Sequence, residues 1–137
     1  MTTRSFLRHA AFVVSFVAGA VVVVPVLHAQ GTSGALDGRQ FVGEIGDKGK
    51  PTGFKEEISF KDGKMVSSVC ANRFANFPYK AVKKGDTIEF EASASSPKEG
   101  TQSWKGTVSG DTLNATSVWT PPGRAPDETW IKAKLRK

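Results

Sequence analysis

Residues 103–119 read SWKGTVSGDTLNATSVW. Two stretches of alternating apolar and polar residues meet at Gly110-Asp111, a pair suited to a two-residue II′ or I′ hairpin turn. Centring the turn there pairs Val108 with Leu113, Gly106 with Ala115 and Trp104 with Ser117. Side chains alternate along a strand, so one face carries Trp104, Gly106, Val108, Leu113, Ala115, Ser117 and Trp119. The other carries Lys105, Thr107, Ser109, Thr112, Asn114 and Thr116, with Val118 as its one apolar member. A period of two with all the bulk on one side describes a half-buried strand pair.

The same signal recurs twice upstream. Residues 56–70, EEISFKDGKMVSSVC, turn at Asp62-Gly63, a strong I′ pair. Phe60 then faces Met65 and Ile58 faces Ser67, so Ile58, Phe60, Met65 and Val69 share a face and Cys70 falls on the opposite one unless a bulge intervenes. Residues 79–92, YKAVKKGDTIEFEA, are read with a turn at Lys84-Gly85, pairing Tyr79 with Phe90 and Ala81 with Ile88. Lys80 meets Glu89 on the outside, a cross-strand attraction of roughly 0.2–1 kcal/mol.

Alternation over Arg39–Ile45 (Phe41, Gly43, Ile45) and Thr129–Arg136 (Ile131, Ala133, Leu135) adds a first and a last strand, and Trp130 falls on the outer face with Lys132 and Lys134. Eight strands linked in sequence predict an all-β fold, a single-domain eight-stranded antiparallel up-and-down β-barrel. A β-sandwich is the alternative. Closure into a barrel is preferred because it leaves no unpaired edge strand. The turns at Asp62-Gly63, Lys84-Gly85 and Gly110-Asp111 then share one end. The longer connections GDKGKPTG (46–53), ANRFANFP (71–78), SSPKEG (95–100) and TPPGRAPDE (120–128) share the other, where recognition residues belong.

Residues 1–29 have the form of a secretory signal peptide. Arg4, Arg8 and His9 precede the apolar run Ala11–Leu27, which ends near Pro25 and the small residue Ala29. Cleavage is expected after Ala29, with Ala35 as the second site and an uncleaved membrane anchor as the competing reading. The domain plan is therefore a signal peptide (1–29), a flexible N-terminal segment (30–36) and a β-barrel domain (37–137). The expected location is periplasmic or secreted. Removing Arg4 and Arg8 from the 19 Lys and Arg, against 13 Asp and Glu, leaves a net charge of about +4. The lysines are scattered among turns and solvated faces, which argues against nucleic acid as a partner.

The chemistry available is narrow. Both histidines, His9 and His28, lie in the leader, so the remaining chain lacks the commonest general base and zinc ligand. Cys70 is the single cysteine, which rules out an internal disulfide and reads as a small strand residue. Glu56-Glu57 and Glu89-Glu91 fall on positions that read as outward facing or mixed. No catalytic set, metal site or cofactor is predicted, and the chain is read as non-enzymatic. The aromatic residues carry the remaining signal. Phe60, Tyr79, Phe90, Trp104 and Trp119 fall on inner faces beside Gly106, Ala115 and Ser117, while Phe74 and Phe77 lie on a long loop. Large rings beside small residues either interdigitate into a filled core or line a cavity.

The leader, the eight-strand meander and the segments SFKDGKMVSSVC and WKGTVSGDTL resemble small exported bacterial β-barrel proteins of lipocalin-like type. Lipocalins carry Gly-x-Trp at the start of their first strand, whereas this chain has Gly38-Arg39-Gln40-Phe41, so no binding residue is carried over. The resemblance implies the architecture and a small apolar ligand. The expectation is thus a small apolar or amphipathic ligand held by Phe60, Tyr79, Phe90, Trp104 and Trp119, with Phe74 and Phe77 at the mouth. The alternative is a fully packed interior and long loops that meet an envelope protein partner.

Overall fold

A computed structural model describes residues 34–137; the expected signal peptide (1–29) and residues 30–33 lie outside the described residues. Eight strands follow one another: β1 (Gln40–Asp47), β2 (Phe54–Lys61), β3 (Lys64–Ser67), β4 (Phe77–Lys84), β5 (Thr87–Ser96), β6 (Gly100–Ser109), β7 (Thr112–Thr120) and β8 (Asp127–Leu135). Each pairs antiparallel with the next, and β1 pairs with β8, so the sheet closes into an up-and-down barrel. Closure gives every strand two partners and removes the edges that an open sheet would expose.

Two of the three hairpins have the expected register. In β6–β7, Val108 pairs with Leu113, Gly106 with Ala115 and Trp104 with Ser117. In β2–β3, Phe60 pairs with Met65 and Ile58 with Ser67, around a turn in which Asp62 and Gly63 both take positive φ. The β4–β5 hairpin corrects the sequence reading. Tyr79 pairs with Ala92 and Ala81 with Phe90, and the last pair is Lys84 with Thr87, which makes Gly85-Asp86 the central pair. The reason lies in the turn. Gly85 has φ +60, as Gly110 has +57 in its own Gly-Asp turn. A II′ turn needs glycine at its first central position, and centring on Lys84 would put a lysine there. The slip is by two residues, so every side chain keeps its face. Glu89 consequently pairs with Val82 and forms its ion pair with Lys84 at 2.9 Å rather than with Lys80.

The inner faces form one continuous core. Phe41, Phe60, Tyr79, Phe90, Trp104 and Phe77 are all buried, and their rings meet edge to face. Phe60 is the hub, 4.9 Å from Tyr79, 5.4 Å from Phe90 and 6.2 Å from Phe41, while Phe77 lies 5.8 Å from Trp104. Such contacts add about 0.5–1.5 kcal/mol each beyond the burial of area. Gly106 is small because Phe90 occupies its space. A Cβ there would lie 2.6 Å from the Phe90 ring.

The tight-turn end is closed by residues 34–38. Leu36 is buried in the core, its N–H donates to Tyr79 Oη at 3.0 Å, and that hydroxyl donates to Asp37 Oδ1 at 2.7 Å. Asp37 also accepts from the Gly63 N–H, which ties the turn of β2–β3 to the plug. Residues 34–36, assigned above to a flexible segment, therefore belong to the folded domain, because the core has a place for Leu36. Burial, and then the bond to Asp37, push the Tyr79 hydroxyl up to about 12.

At the opposite end the chain departs from the predicted alternation. Strand β3 stops at Ser67 and meets β4 only at Lys64–Pro78 and Met65–Phe77. A turn follows, in which the N–H groups of Arg73 and Phe74 both donate to Cys70 O at 2.9 Å. This turn reverses the faces of Val69 and Cys70. Cys70 is buried and Val69 is exposed, contrary to the extended reading. Phe74 and Phe77 are also buried, and Phe77 is the first residue of β4 rather than a loop residue. Trp130 lies outside the barrel as expected, but the loop after β1 covers it and its indole N–H donates to Lys50 O at 2.9 Å.

Candidate functional site

The long-loop end carries an open cleft of about 790 Å³. Its position follows from the turn after β3, which folds Cys70 and Arg73 over the barrel mouth instead of continuing the sheet. The anchor of that turn is Glu56. It shares the inward parity of Ile58 and Phe60 and is 0 % exposed, which corrects its outward or mixed assignment. Its carboxylate accepts from Ser67 Oγ at 2.7 Å, Ser68 Oγ at 2.9 Å, Val69 N at 3.3 Å and Glu57 N at 3.0 Å. A buried carboxylate is tolerated when its lone pairs are filled in this way. Glu56 is thus a structural staple for the site.

The floor of the cleft is polar. Gln102, 3 % exposed, continues the inner face of β6 one step beyond Trp104. Its Nε2 donates to Ser117 Oγ at 2.8 Å and to Cys70 Sγ at 3.3 Å. Ser117 and Cys70 are buried beside it. The walls combine apolar and aromatic residues with the charged Asp47, Lys48, Arg73, Asp127 and Glu128. Trp119 stands at the end of β7 and donates from Nε1 to Glu99 O at 2.7 Å, which fixes the ring. The guanidinium of Arg73 lies 4.0 Å above that ring and that of Arg124 lies 5.7 Å away, both at cation–π range. Phe54, 76 % exposed, and Val69 are the exposed large hydrophobic residues among those described, and both line this cleft. Their convergence on one concavity is what marks it, since single exposed apolar residues elsewhere need no explanation.

The expected ligand residues are divided by this geometry. Phe60, Tyr79, Phe90, Trp104 and Phe77 sit in the packed interior, Phe74 packs 5.5 Å from Phe77, and Trp119 alone among the seven lines the cleft. The sequence reading missed Gln102, Arg73, Phe54 and Val69. Gln102 was within reach of it, because the alternation that places Trp104 inside also places Gln102 inside. Arg73 was not, because no periodicity runs through the loop that carries it. Among the described residues no group of three or more His, Cys, Asp or Glu is placed to hold a metal ion. Comparison of the chain with protein-family models, curated proteins and solved structures gives no match, so the site is read from its own geometry.

Proposed function

We propose that this is a non-enzymatic exported β-barrel protein that holds a small amphipathic molecule at its mouth rather than deep in the barrel. The observation that carries the reading is the pairing of exposed Phe54 and Val69 with half-buried Trp119 over the buried polar floor of Gln102, Ser117 and Cys70. Concave sites with apolar walls and a few fixed polar groups are the usual form of small-molecule sites. A volume of about 790 Å³ lies in the range of such sites. The packed aromatic interior serves as a rigid base on which the cleft is built.

The test is tryptophan fluorescence titrated with medium-chain fatty acids and small aromatic acids, alongside calorimetry. Binding is expected to change the emission of the native protein. In Trp119→Phe the optical change disappears while the calorimetric signal persists, since Trp104 and Trp130 lie away from the cleft. A flat titration by both methods across the panel sinks the proposal.

A second reading is favoured by the exposure of Phe54, which an envelope protein docking on the long loops would cover. It predicts that deleting residues 121–126 abolishes co-purification of a partner from envelope fractions. Under the ligand reading the same deletion alters binding of small probes instead.

A further inference from the structure

The cleft floor holds two buried polar atoms that have no hydrogen-bond partner among the described residues, Arg73 Nε and Gln102 Oε1. They are complementary in kind. One is a donor on a cation and the other a neutral acceptor. Both side chains reach the same atom, Gln102 through Nε2 at 3.3 Å and Arg73 through Nη2 at 3.9 Å from Cys70 Sγ, so the two heads flank one sulfur. Buried polar groups in folded proteins are nearly always paired, and an orphan beside a cleft is met by water or by the polar group of a ligand that displaces it. Gln102 is more than nine-tenths buried and lines the cleft.

The charges around the floor decide what that ligand is. Of the carboxylates lining the cleft, Asp127 is paired with Arg124 at 3.6 Å and Glu128 with Lys48, while Asp47 is exposed at the end of β1. Glu56 has both oxygens engaged by Ser67, Ser68 and backbone N–H groups. Arg73 forms no ion pair among the described residues, and its guanidinium, stacked over Trp119, lines the cleft with its charge unmatched. A guanidinium without a carboxylate partner matches an incoming carboxylate.

Resting on the reading of the cleft as a small-molecule site, we propose that its floor takes a carboxylate bearing a hydroxyl or N–H on the adjacent carbon. The ligand class is an α-hydroxy acid or an N-acylated α-amino acid with an apolar tail. The carboxylate accepts from Arg73, the neighbouring O–H or N–H donates to Gln102 Oε1, and the tail lies against Trp119, Val69 and Phe54.

The test is calorimetry on the exported chain with three probes of equal tail length: octanoate, 2-hydroxyoctanoate and 1-octanol. The expected order is 2-hydroxyoctanoate, octanoate, 1-octanol, each step about tenfold in Kd, the effect of one well-placed hydrogen bond or charge contact. Gln102→Leu erases the preference for the hydroxy acid and keeps that for acid over alcohol. Arg73→Gln erases the latter, and Arg73→Lys, which keeps the charge, retains part of it. Circular dichroism checks that each variant is folded, and the comparison of probes on the native chain needs no variant. Three probes binding within about twofold of one another overturn this assignment of the floor and leave the cleft reading standing. Failure of all three, together with a flat titration across the wider panel, overturns both.

Discussion

Replacing Gly106 by alanine puts a methyl group where β6 presses on the core. That carbon would lie 2.6 Å from Phe90 Cε1, 2.7 Å from Phe90 Cζ and 2.7 Å from Ala115 Cβ. Carbon atoms in contact prefer about 3.5–4.0 Å, so one of these groups must move by about 1 Å. Ala115 is fixed to β7, where it pairs with Gly106 itself. Phe90 is blocked by Phe60, which in turn is held by Tyr79 and Phe41. Overpacking of this kind costs about 1–3 kcal/mol, and the lack of a free direction places Gly106→Ala near the middle of that range or above it. For a domain of this size, about 2 kcal/mol lowers Tm by roughly 10 °C. Urea unfolding of the native chain, Gly106→Ala, Phe90→Leu and the double variant gives the coupling directly. In the Phe90→Leu background the smaller, more flexible side chain yields, and the cost of Gly106→Ala falls by at least about 1 kcal/mol. A Gly106→Ala variant within about 0.5 kcal/mol of the native chain, or an equal cost in both backgrounds, would refute the claim that Phe90 fills the space beside Gly106.

Three other perturbations test the ends of the barrel. Tyr79→Phe removes the donor to Asp37 and the acceptor of the Leu36 N–H, and should cost about 1.5–3 kcal/mol in chemical denaturation, with the plug at 34–38 exchanging its amide hydrogens faster. The Tyr79 hydroxyl is raised from 10.0 to about 12, so folding favours its neutral form. Its contribution is complete below pH 10 and is lost as pH rises from 10 through 12, and Tyr79→Phe should flatten the fall in stability across that window. Glu56→Gln replaces acceptor lone pairs by donors that face Ser67, Ser68 or the Val69 N–H. It should cost about 1–3 kcal/mol and speed exchange at the Val69 and Cys70 amides; unchanged exchange would remove Glu56 as the anchor of the mouth. Gly46→Ala brings a Cβ within 2.4 Å of the Trp130 ring, which lies half-buried on the outer surface. To clear the methyl the ring must swing away and give up its bond to Lys50 O, so tryptophan emission should shift to the red with a loss of about 0.5–1.5 kcal/mol in stability.

How far the sequence could be read varies along the chain for physical reasons. Alternation identified the inner residues of β1, β2, β4, β6, β7 and β8, because the period of a strand is a local property that each residue carries. Turn chemistry located Asp62-Gly63 and Gly110-Asp111, where one glycine or Asx-Gly pair stands alone. It misplaced the third turn by one residue, because Lys84-Gly85 and Gly85-Asp86 both contain the glycine and the choice depends on which φ it adopts. The inward position of Glu56 was visible in its parity with Ile58 and Phe60, but its charge argued against burial. Ser67, Ser68 and two backbone N–H groups, which the fold brings to it, reverse that argument.

For this protein the sequence alone determined the all-β class, the meander of eight strands and the face of most strand residues, Glu56 and Phe77 being the exceptions. Those properties follow from neighbours one or two positions apart. Tertiary structure decided that Phe90 fills the gap beside Gly106, that Leu36 plugs one end, and that Cys70, Arg73, Gln102 and Trp119 converge at the other. Those residues are separated by up to half of the folded chain, and no local periodicity records a distance across a closed barrel. In SWKGTVSGDTLNATSVW, the two tryptophans share the inner face as the alternation requires. Depth along the barrel axis makes Trp104 part of the packed interior and Trp119 the wall of the cleft.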